Sequence, residues 1–244
     1  MDTTQTIEGR RAVKEALEAG RPIDKIFILR GGSGFAEIKR LARERGAVAA
    51  ECDRAKLDMM SETKAHQGVI AVIAAREYAE LGDIWRKAEQ SGRPPLIVVC
   101  DGVEDPRNLG AIIRNAECAG AHGVVIAKRR SAGLTPACAK AAVGALEHLP
   151  VVRVPNIPAL LNELKQRGVW IYGAESGGGA KSVYDADFSG GAALVLGSEG
   201  FGLGRLVKET CDMLVHIPMY GATPSLNVSA ACAVILFEIA KQRG

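Results

Sequence analysis

Apolar and polar residues occur in alternating blocks along the whole chain, and these blocks predict helices that alternate with strands. Before residue 76, amphipathic stretches with helical spacing are followed by short apolar runs. Glycines end two of the helical stretches, as is typical of helix C-termini. The pattern predicts a small α/β unit with helices at 8–20, 35–46 and 54–61 and strands at 25–29, 47–52 and 68–75.

A polar stretch, 76–93, separates this unit from a second and longer alternation. Its end, Ser-Gly-Arg-Pro-Pro, is typical of a domain boundary. The later strand-like runs are separated by helical patterns, which favours a parallel sheet with helices on both faces. We therefore predict an α/β fold with a small domain at 1–76, a linker at 77–93 and a larger domain at 94–244. The second alternation predicts strands at 96–100, 123–127, 151–154, 169–174, 192–197 and 213–218, and helices at 110–120, 137–146, 158–168, 204–210 and about 227–243.

Composition narrows the class of protein. The 244 residues are 48% apolar and carry a formal charge of +3, which indicates a globular core and leaves a nucleic-acid partner open. No apolar run approaches the roughly 18 residues of a membrane span, and no export signal opens the chain, so we expect a cytoplasmic protein. The six cysteines form no CxxC pair, which predicts buried free thiols and no metal site.

A glycine-rich stretch at 194–206 follows an apolar run and precedes a helical pattern, as nucleotide-binding loops do. The spacing G-x-G-x-G does not fit the NAD fingerprint, and after Asp212 the next carboxylate is Glu238, so the ribose-binding acid is missing. No GK[ST] follows, which excludes a Walker A loop. The glycines still favour a ligand held by main-chain groups. They are Gly197, Gly200, Gly202 and Gly204.

Three loops share one arrangement, since each follows a strand and precedes a helix: 101–120, 197–204 and 217–234. In order and spacing they resemble the three signature motifs of the SpoU/TrmH family of RNA ribose 2′-O-methyltransferases. The N-terminal unit, with its sequence HQGVIA, is similar to the substrate-binding domain of members that methylate a guanosine of large-subunit ribosomal RNA. The resemblance covers nearly the whole chain.

The resemblance implies a catalytic domain folded as a deep trefoil knot, with S-adenosylmethionine bent inside it. It implies that Gly197, Ile217 and Leu226 hold this cofactor through backbone groups and apolar contact. From the residues alone, ordinary core is the favoured explanation of Ile217 and Leu226, and the resemblance reverses that preference. The neighbouring residues Leu196, Met219 and Ser225 complete the predicted cofactor set.

The resemblance also implies a catalytic set. In the family an arginine at the Arg114 position is proposed as the general base, but a guanidinium pKa above about 12 favours a charged clamp on phosphate and oxyanion. Asn108 and Asn227 have an alternative explanation as helix caps, the latter shared with Ser225. Glu199 either orients Asn108 or caps the helix near 204–210. The predicted catalytic residues are Arg114, Asn108, Glu199 and Asn227.

RNA contact is predicted for the N-terminal unit. It is also predicted for the basic sequence that follows the strand at 123–127, which has an alternative explanation as a solvated loop, and for two residues of the signature loops. These residues are Lys128, Arg129, Arg130, Arg107 and Ser229. The resemblance implies a homodimer in which one protomer's first loop approaches its partner's cofactor. Ribosomal RNA is favoured as substrate; transfer RNA and a catalytically silent RNA-binding relative are the alternatives.

Overall fold

The computed structural model describes residues 6–176 and 179–244 and divides into two compact units. The first comprises the chain up to Glu77 together with Gly133–Ala139, and the second comprises Tyr78–Ala132 and Lys140–Gly244. The first five residues, which belong to the predicted first domain, lie outside the described part of the chain.

The first unit has a four-stranded sheet in the order β1-β4-β2-β3. β2 and β3 are parallel, whereas β4 is antiparallel to both β1 and β2. The three predicted helices and three predicted strands are present. β1 was not predicted, because three residues are too few to show a pattern. The elements are β1 Thr6–Glu8, α1 Arg10–Glu18, β2 Ile23–Leu29, α2 Ala36–Glu44, β3 Val48–Cys52, α3 Arg54–Met60 and β4 Val69–Ile73.

The second unit begins with a helix that packs into its own core. The stretch 77–93, for which the sequence predicts a linker, holds α4 (Leu81–Ser91), whose Ile84 and Ala88 are buried. The elements that follow along the chain are β5 Leu96–Cys100, α5 Pro106–Cys118, β6 Gly123–Ala127, α6 Pro136–Ala142, β7 Val151–Val154, α7 Ile157–Gln166, β8 Trp170–Ala174, β9 Lys181–Ser182, β10 Ala192–Leu196, α8 Arg205–Thr210, β11 Met213–His216 and α9 Val228–Gln242. The part of α6 up to Ala139 belongs to the first unit.

The sheet of the second unit has seven strands in the order β7-β6-β5-β10-β8-β11-β9, and every pair is parallel. Every residue of the central β5 and β10 is buried, which explains why these strands are uninterrupted apolar runs. One face packs α4, α7 and α8 onto side chains such as Ile97 and Val195. On the other, α5 packs along α9 and both reach the sheet. The predicted α/β class with a parallel sheet is confirmed.

Two helices differ from their predicted bounds. α5 begins at Pro106 with Asp105 as its cap, so Asn108 lies inside the first turn and the alternative explanation of Asn108 as a helix cap is wrong. Asp105 is the cap because its Oδ1 accepts from the backbone N–H of Arg107 at 2.7 Å. α6 ends at Ala142, because Val143 and Gly144 adopt left-handed backbone angles of φ 48° and 84°.

The thiols fit the prediction of free cysteines that are mostly buried: Cys52, Cys100, Cys138 and Cys232 are buried, Cys211 is half-buried and Cys118 is exposed. Burial raises the pKa of Cys138 to about 12 and that of Cys211 to about 11, so neither is a thiolate at neutral pH. Among the described residues, no helix is both long and apolar enough to cross a bilayer.

Candidate active site

The sheet order explains how distant loops meet. β5, β10, β8 and β11 are neighbours in the sheet and run in the same direction, so their carboxyl ends lie along one edge. The three signature loops leave from β5, β10 and β11. Ligands of parallel α/β sheets bind at this edge.

A hydrogen-bonded cluster joins one side chain from each signature loop. The Asn108 amide donates to Glu199 Oε1, and Asn227 Nδ2 donates both to Asn108 Oδ1 at 3.1 Å and to Glu199 Oε1 at 3.2 Å. Glu199 therefore accepts two amide donors on one oxygen. The structure brings three of the four predicted catalytic residues together.

The start of α9 fixes the third member of this cluster. Asn227 Oδ1 accepts from the backbone N–H of Ser229 at 2.9 Å and from its hydroxyl at 2.6 Å, so Asn227 caps α9 while its amide faces Glu199. Asn115 Nδ2 donates to the Ser229 carbonyl at 2.8 Å, which ties α5 to α9. The interpretation of Asn227 as a cap is confirmed, whereas its role as a site residue stays a prediction; Ser225 is not the cap.

Gly197 opens the second loop at a point where no side chain fits. A Cβ there would lie 2.5 Å from the Gly202 carbonyl oxygen and from the Leu203 nitrogen. Ser198 and Gly202 exchange two backbone hydrogen bonds of 3.0 Å, which closes a tight loop with Phe201 at its tip. The loop is thus held by its own backbone.

Asp101, at the end of β5, fixes the far end of this loop. Its Oδ2 accepts from the backbone N–H of Gly204 at 2.9 Å. Gly204 is the N-cap of α8 and has no capping side chain of its own. The alternative role of Glu199, as the cap of this helix, is therefore not what the structure shows.

A cleft of about 590 Å³ lies between the second and third loops. We call it the first cleft. Its walls include both apolar side chains and exposed backbone from β10, β11 and the start of α9. All six predicted cofactor residues line it: Leu196, Gly197, Ile217, Met219, Ser225 and Leu226.

A second cleft, of about 580 Å³, lies between the first and second loops. Asn108, Arg129 and Arg130 line it, and Arg130 holds a left-handed backbone angle of φ 54°. The two clefts share a wall made of Ser198, Glu199, Phe201 and Gly202. The polar cluster therefore stands where the clefts adjoin.

Arg114 lies apart from the cluster. It is exposed on α5, and it forms no hydrogen bond or ion pair within 6–176 and 179–244. Arg107, seven residues earlier, is also exposed and lies on the same side of the helix. Neither lines the two clefts, and nor does the half-buried Lys128.

Glu175 lines the first cleft, and sequence reasoning missed it. It follows β8, and β8 lies between β10 and β11, so the residue after it falls between the second and third loops. Its Oε2 pairs with Lys208 Nζ at 3.2 Å, and its Oε1 accepts from the Ser176 N–H at 3.1 Å. The side chain is 17% exposed. A carboxylate just past an apolar strand was the available signal.

The part of the chain described here contains no group of three or more His, Cys, Asp and Glu side chains able to hold a metal ion. The polar groups that line the two clefts include amides, arginines, backbone groups and carboxylates, the carboxylates being Asp101, Glu104, Asp105, Glu175 and Glu199.

Comparison with known families agrees with this geometry. A family model described as "SpoU rRNA Methylase family" matches residues 95–237, which covers most of the second unit. A second model, "RNA 2'-O ribose methyltransferase substrate binding", matches residues 6–79. The chain belongs to the SpoU rRNA methylase family. The predicted family is confirmed, and the chain is an RNA methyltransferase of that family.

Two relatives of this SpoU protein match it over nearly their whole length. A putative TrmH family tRNA/rRNA methyltransferase, YacO of Bacillus subtilis strain 168, is 44% identical over 96% of this chain and 94% of its own. A similarly named Staphylococcus aureus protein is 40% identical over 97% of this chain and 96% of its own length. The crystal structure of the SpoU methyltransferase AviRb from Streptomyces viridochromogenes, with the cofactor AdoMet, matches with a TM-score of 0.62 and 29% identity, over 98% of this chain and 89% of AviRb.

Proposed function

We propose that this protein transfers the methyl group of S-adenosylmethionine to a ribose 2′-hydroxyl of ribosomal RNA, a guanosine of the large subunit being the expected target. The observation that carries the proposal is the polar cluster of Asn108, Glu199 and Asn227 at the wall shared by two clefts. One cleft suits a methyl donor and the other suits the nucleotide that receives the methyl group.

The cofactor is S-adenosylmethionine, the molecule bound by AviRb of the same family. The first cleft fits it, because it offers apolar side chains beside main-chain and polar groups, as an adenosyl group requires. Gly197 leaves the backbone bare at this point, where a Cβ would clash with the chain opposite. When bound, S-adenosylmethionine supplies an electrophilic sulfonium methyl group. Gly197, Ile217 and Leu226 would hold the adenosyl part.

Glu175 would hold the ribose of the cofactor. Its charge is already balanced by Lys208, so a neutral diol suits it better than a second ammonium group. Each carboxylate oxygen can accept more than one hydrogen bond, so both keep acceptor capacity beside Lys208 and Ser176. Glu175 would thus take the role of the ribose-binding acid that is missing after the glycine-rich loop. It follows β8, which lies between the strands that carry the second and third loops.

The target ribose would reach the cluster from the second cleft. Both hydrogen bonds to Glu199 end on Oε1, which leaves Oε2 to accept from a ribose hydroxyl and orient it. Arg129 and Arg130 would hold a phosphate of the same strand. Phe201, at the shared wall, is 95% exposed and offers a face on which a base can stack. Holding the reactants in line supplies a large share of the rate, about 7–11 kcal/mol at best.

Arg114 would act across a homodimer. It lines neither cleft of its own chain, and it is exposed without a partner in the described part of the chain, so it is available to the cofactor cleft of a second copy. There it would stay charged, clamp a phosphate and stabilise the developing oxyanion, while the proton leaves through phosphate or water. The homodimer, the trefoil knot and the cytoplasmic location remain predictions.

The test is a map of ribose 2′-O-methyl groups in RNA from wild-type and deletion strains. We expect one guanosine of large-subunit ribosomal RNA to lose its methyl group on deletion, and the purified protein to restore it with S-adenosylmethionine. A lost site in transfer RNA would overturn the ribosomal assignment alone. No lost site, together with no binding of adenosyl ligands, would leave a silent RNA-binding relative.

A further inference from the structure

The first unit has a cleft of its own, of about 510 Å³. It lies where β2 ends and β4 begins, next to the first residue of α1. Three cations line it together with an amide side chain: Arg10, Arg54, Lys64 and Gln67. We call it the basic cleft.

The positive charge of the basic cleft is poorly compensated. Arg10 and Lys64 form no ion pair within the described part of the chain. Asp58 is the carboxylate nearest to Arg54, at 3.8 Å, and it is shared with the buried His66, whose Nε2 lies 2.9 Å from Asp58 Oδ1. Three cations against one shared carboxylate leave a net attraction for an anion.

Arg10 is held in place rather than left free in solvent. Its Nε donates to the Gln67 carbonyl at 3.2 Å, and its guanidinium lies over the Phe35 ring, 4.4 Å from the centroid. Gly34 permits this approach, because a Cβ there would come within 2.7 Å of Arg10 Nη1. The remaining guanidinium N–H groups are therefore presented at a fixed position.

The loop that carries Lys64 is also fixed. Glu8 accepts from the Ser61 hydroxyl at 2.6 Å and from the Glu62 N–H at 2.7 Å. Lys64 and Gln67 both hold left-handed backbone angles, φ 61° and 49°, which residues other than glycine adopt at a cost. Strained conformations that the surroundings enforce cluster at binding sites.

We propose that the basic cleft binds the phosphodiester backbone of the substrate RNA, through Arg10, Arg54 and Lys64. This inference rests on the proposed function, because it assigns the RNA grip of the first unit to particular residues. Gln67 Oε1 accepts the Arg10 backbone N–H at 3.2 Å, so its amide group is left to donate to phosphate or ribose oxygens. The contacts are to backbone atoms, so the cleft adds affinity and orientation rather than base sequence.

The test compares two triple variants in binding to purified bacterial large-subunit ribosomal RNA over a range of salt. One removes the cleft cations, Arg10→Gln, Arg54→Gln and Lys64→Gln. The matched control removes the same charge from exposed positions of α1 and α2, by Arg11→Gln, Arg40→Gln and Arg43→Gln. We expect the cleft variant to bind about 10- to 100-fold more weakly near 0.1 M salt and to lower the slope of log K against log salt by roughly 2 to 3.

S-adenosylhomocysteine binding and thermal unfolding are measured on the same samples. Unchanged values show that the variant is folded and that the second unit is intact, and Arg10→Lys gives a milder version should the triple variant unfold. An equal loss of RNA affinity in both triple variants would overturn the proposal, because it would mean that the overall positive charge, and not the basic cleft, attracts the RNA. Unchanged RNA affinity of the cleft variant would also overturn the proposal, even if that variant had lost affinity for inorganic phosphate. A wild type that binds no adenosyl ligand would contradict the proposed function instead.

Discussion

Each unit of this protein uses a carboxylate to organise a site, but the two carboxylates are used differently. In the first unit, Glu8 accepts from the Ser61 and Thr63 hydroxyls and from a backbone N–H, so both of its oxygens are occupied in holding a loop. In the second, Glu199 accepts two amides on a single oxygen and stands at the wall between two clefts.

This difference indicates a structural role for Glu8 and a role at the proposed active site for Glu199. Glu8 fixes the loop beside cations that would grip an RNA backbone, and it takes no part in that grip itself. Oε2 of Glu199 is left to bind a ligand, while its Oε1 accepts hydrogen bonds from side chains of two other signature loops. Substitution of Glu199 should therefore change turnover or ligand affinity, whereas substitution of Glu8 should change stability.

The largest effect is expected at Arg114. We expect Arg114→Ala to lower kcat about 10²- to 10³-fold, as removal of one preorganised donor to a developing oxyanion does. Arg114→Lys keeps the charge and should retain measurable turnover with little dependence on pH. The measurement is single-turnover methyl transfer between pH 6 and 9. An Arg114→Lys enzyme that binds RNA normally but is inactive at every pH would contradict a pure clamp.

Glu175→Gln should weaken S-adenosylhomocysteine binding by about 10- to 100-fold, since hydrogen bonds to a charged group are worth roughly 1.5–3 kcal/mol. It should also abolish the preference for that ligand over its 2′-deoxy analogue. Calorimetric titration measures both. The control is Glu209→Gln, since Glu209 lies in the neighbouring helix α8, pairs with Arg205 at 3.1 Å and lines neither cleft. Retained discrimination against the deoxy analogue would show that the carboxylate does not bind the ribose.

Gly197→Ala should destabilise the second unit by about 1–3 kcal/mol, because a Cβ meets the backbone of Gly202 and Leu203, which cannot yield as a side chain does. Gly82→Ala is the control: Gly82 is exposed in α4, and nothing lies within 4 Å of its Cβ position. Chemical denaturation should show a loss for the first variant and none for the second. Equal stability of the two variants would contradict the claim that no side chain fits at position 197.

The smallest effect concerns Glu8. Burial raises the pKa of its carboxyl, but hydrogen bonds from Ser61, Thr63 and Glu62 outweigh it and lower that pKa from 4.5 to about 2. A lowered pKa contributes stability above pH 4.5 that is lost as the pH falls toward 2. Glu8→Gln should therefore cost about 1 kcal/mol in the free energy of unfolding at pH 7 and nothing near pH 2.

Urea denaturation at a series of pH values gives this difference. The control is Glu15→Gln, which removes a carboxylate that only pairs with the exposed Arg11, and it should show no measurable change. A Glu8→Gln difference that stays constant between pH 7 and 2 would mean that the lowered pKa has another source.

The fold was largely predictable, because the strands of the second unit are buried on both faces and so appear as apolar runs. β10 is an example, with all five of its residues buried. Much of the site followed from loop resemblance, and Asn108, Glu199 and Asn227 do meet. The carboxylate of Glu175 just past an apolar strand was visible in the sequence, but its place at the site was not, because chain order does not fix strand order. β8 precedes β10 in the chain but lies between β10 and β11 in the sheet.

A crystal structure of the protein with S-adenosylhomocysteine tests the assignment of the two clefts most directly. We predict that its adenosyl group lies against Gly197, Ile217 and Leu226, with the ribose hydroxyls on Glu175 and the sulfur directed toward the wall at Glu199. Binding in the second cleft, or anywhere away from that wall, would contradict the account.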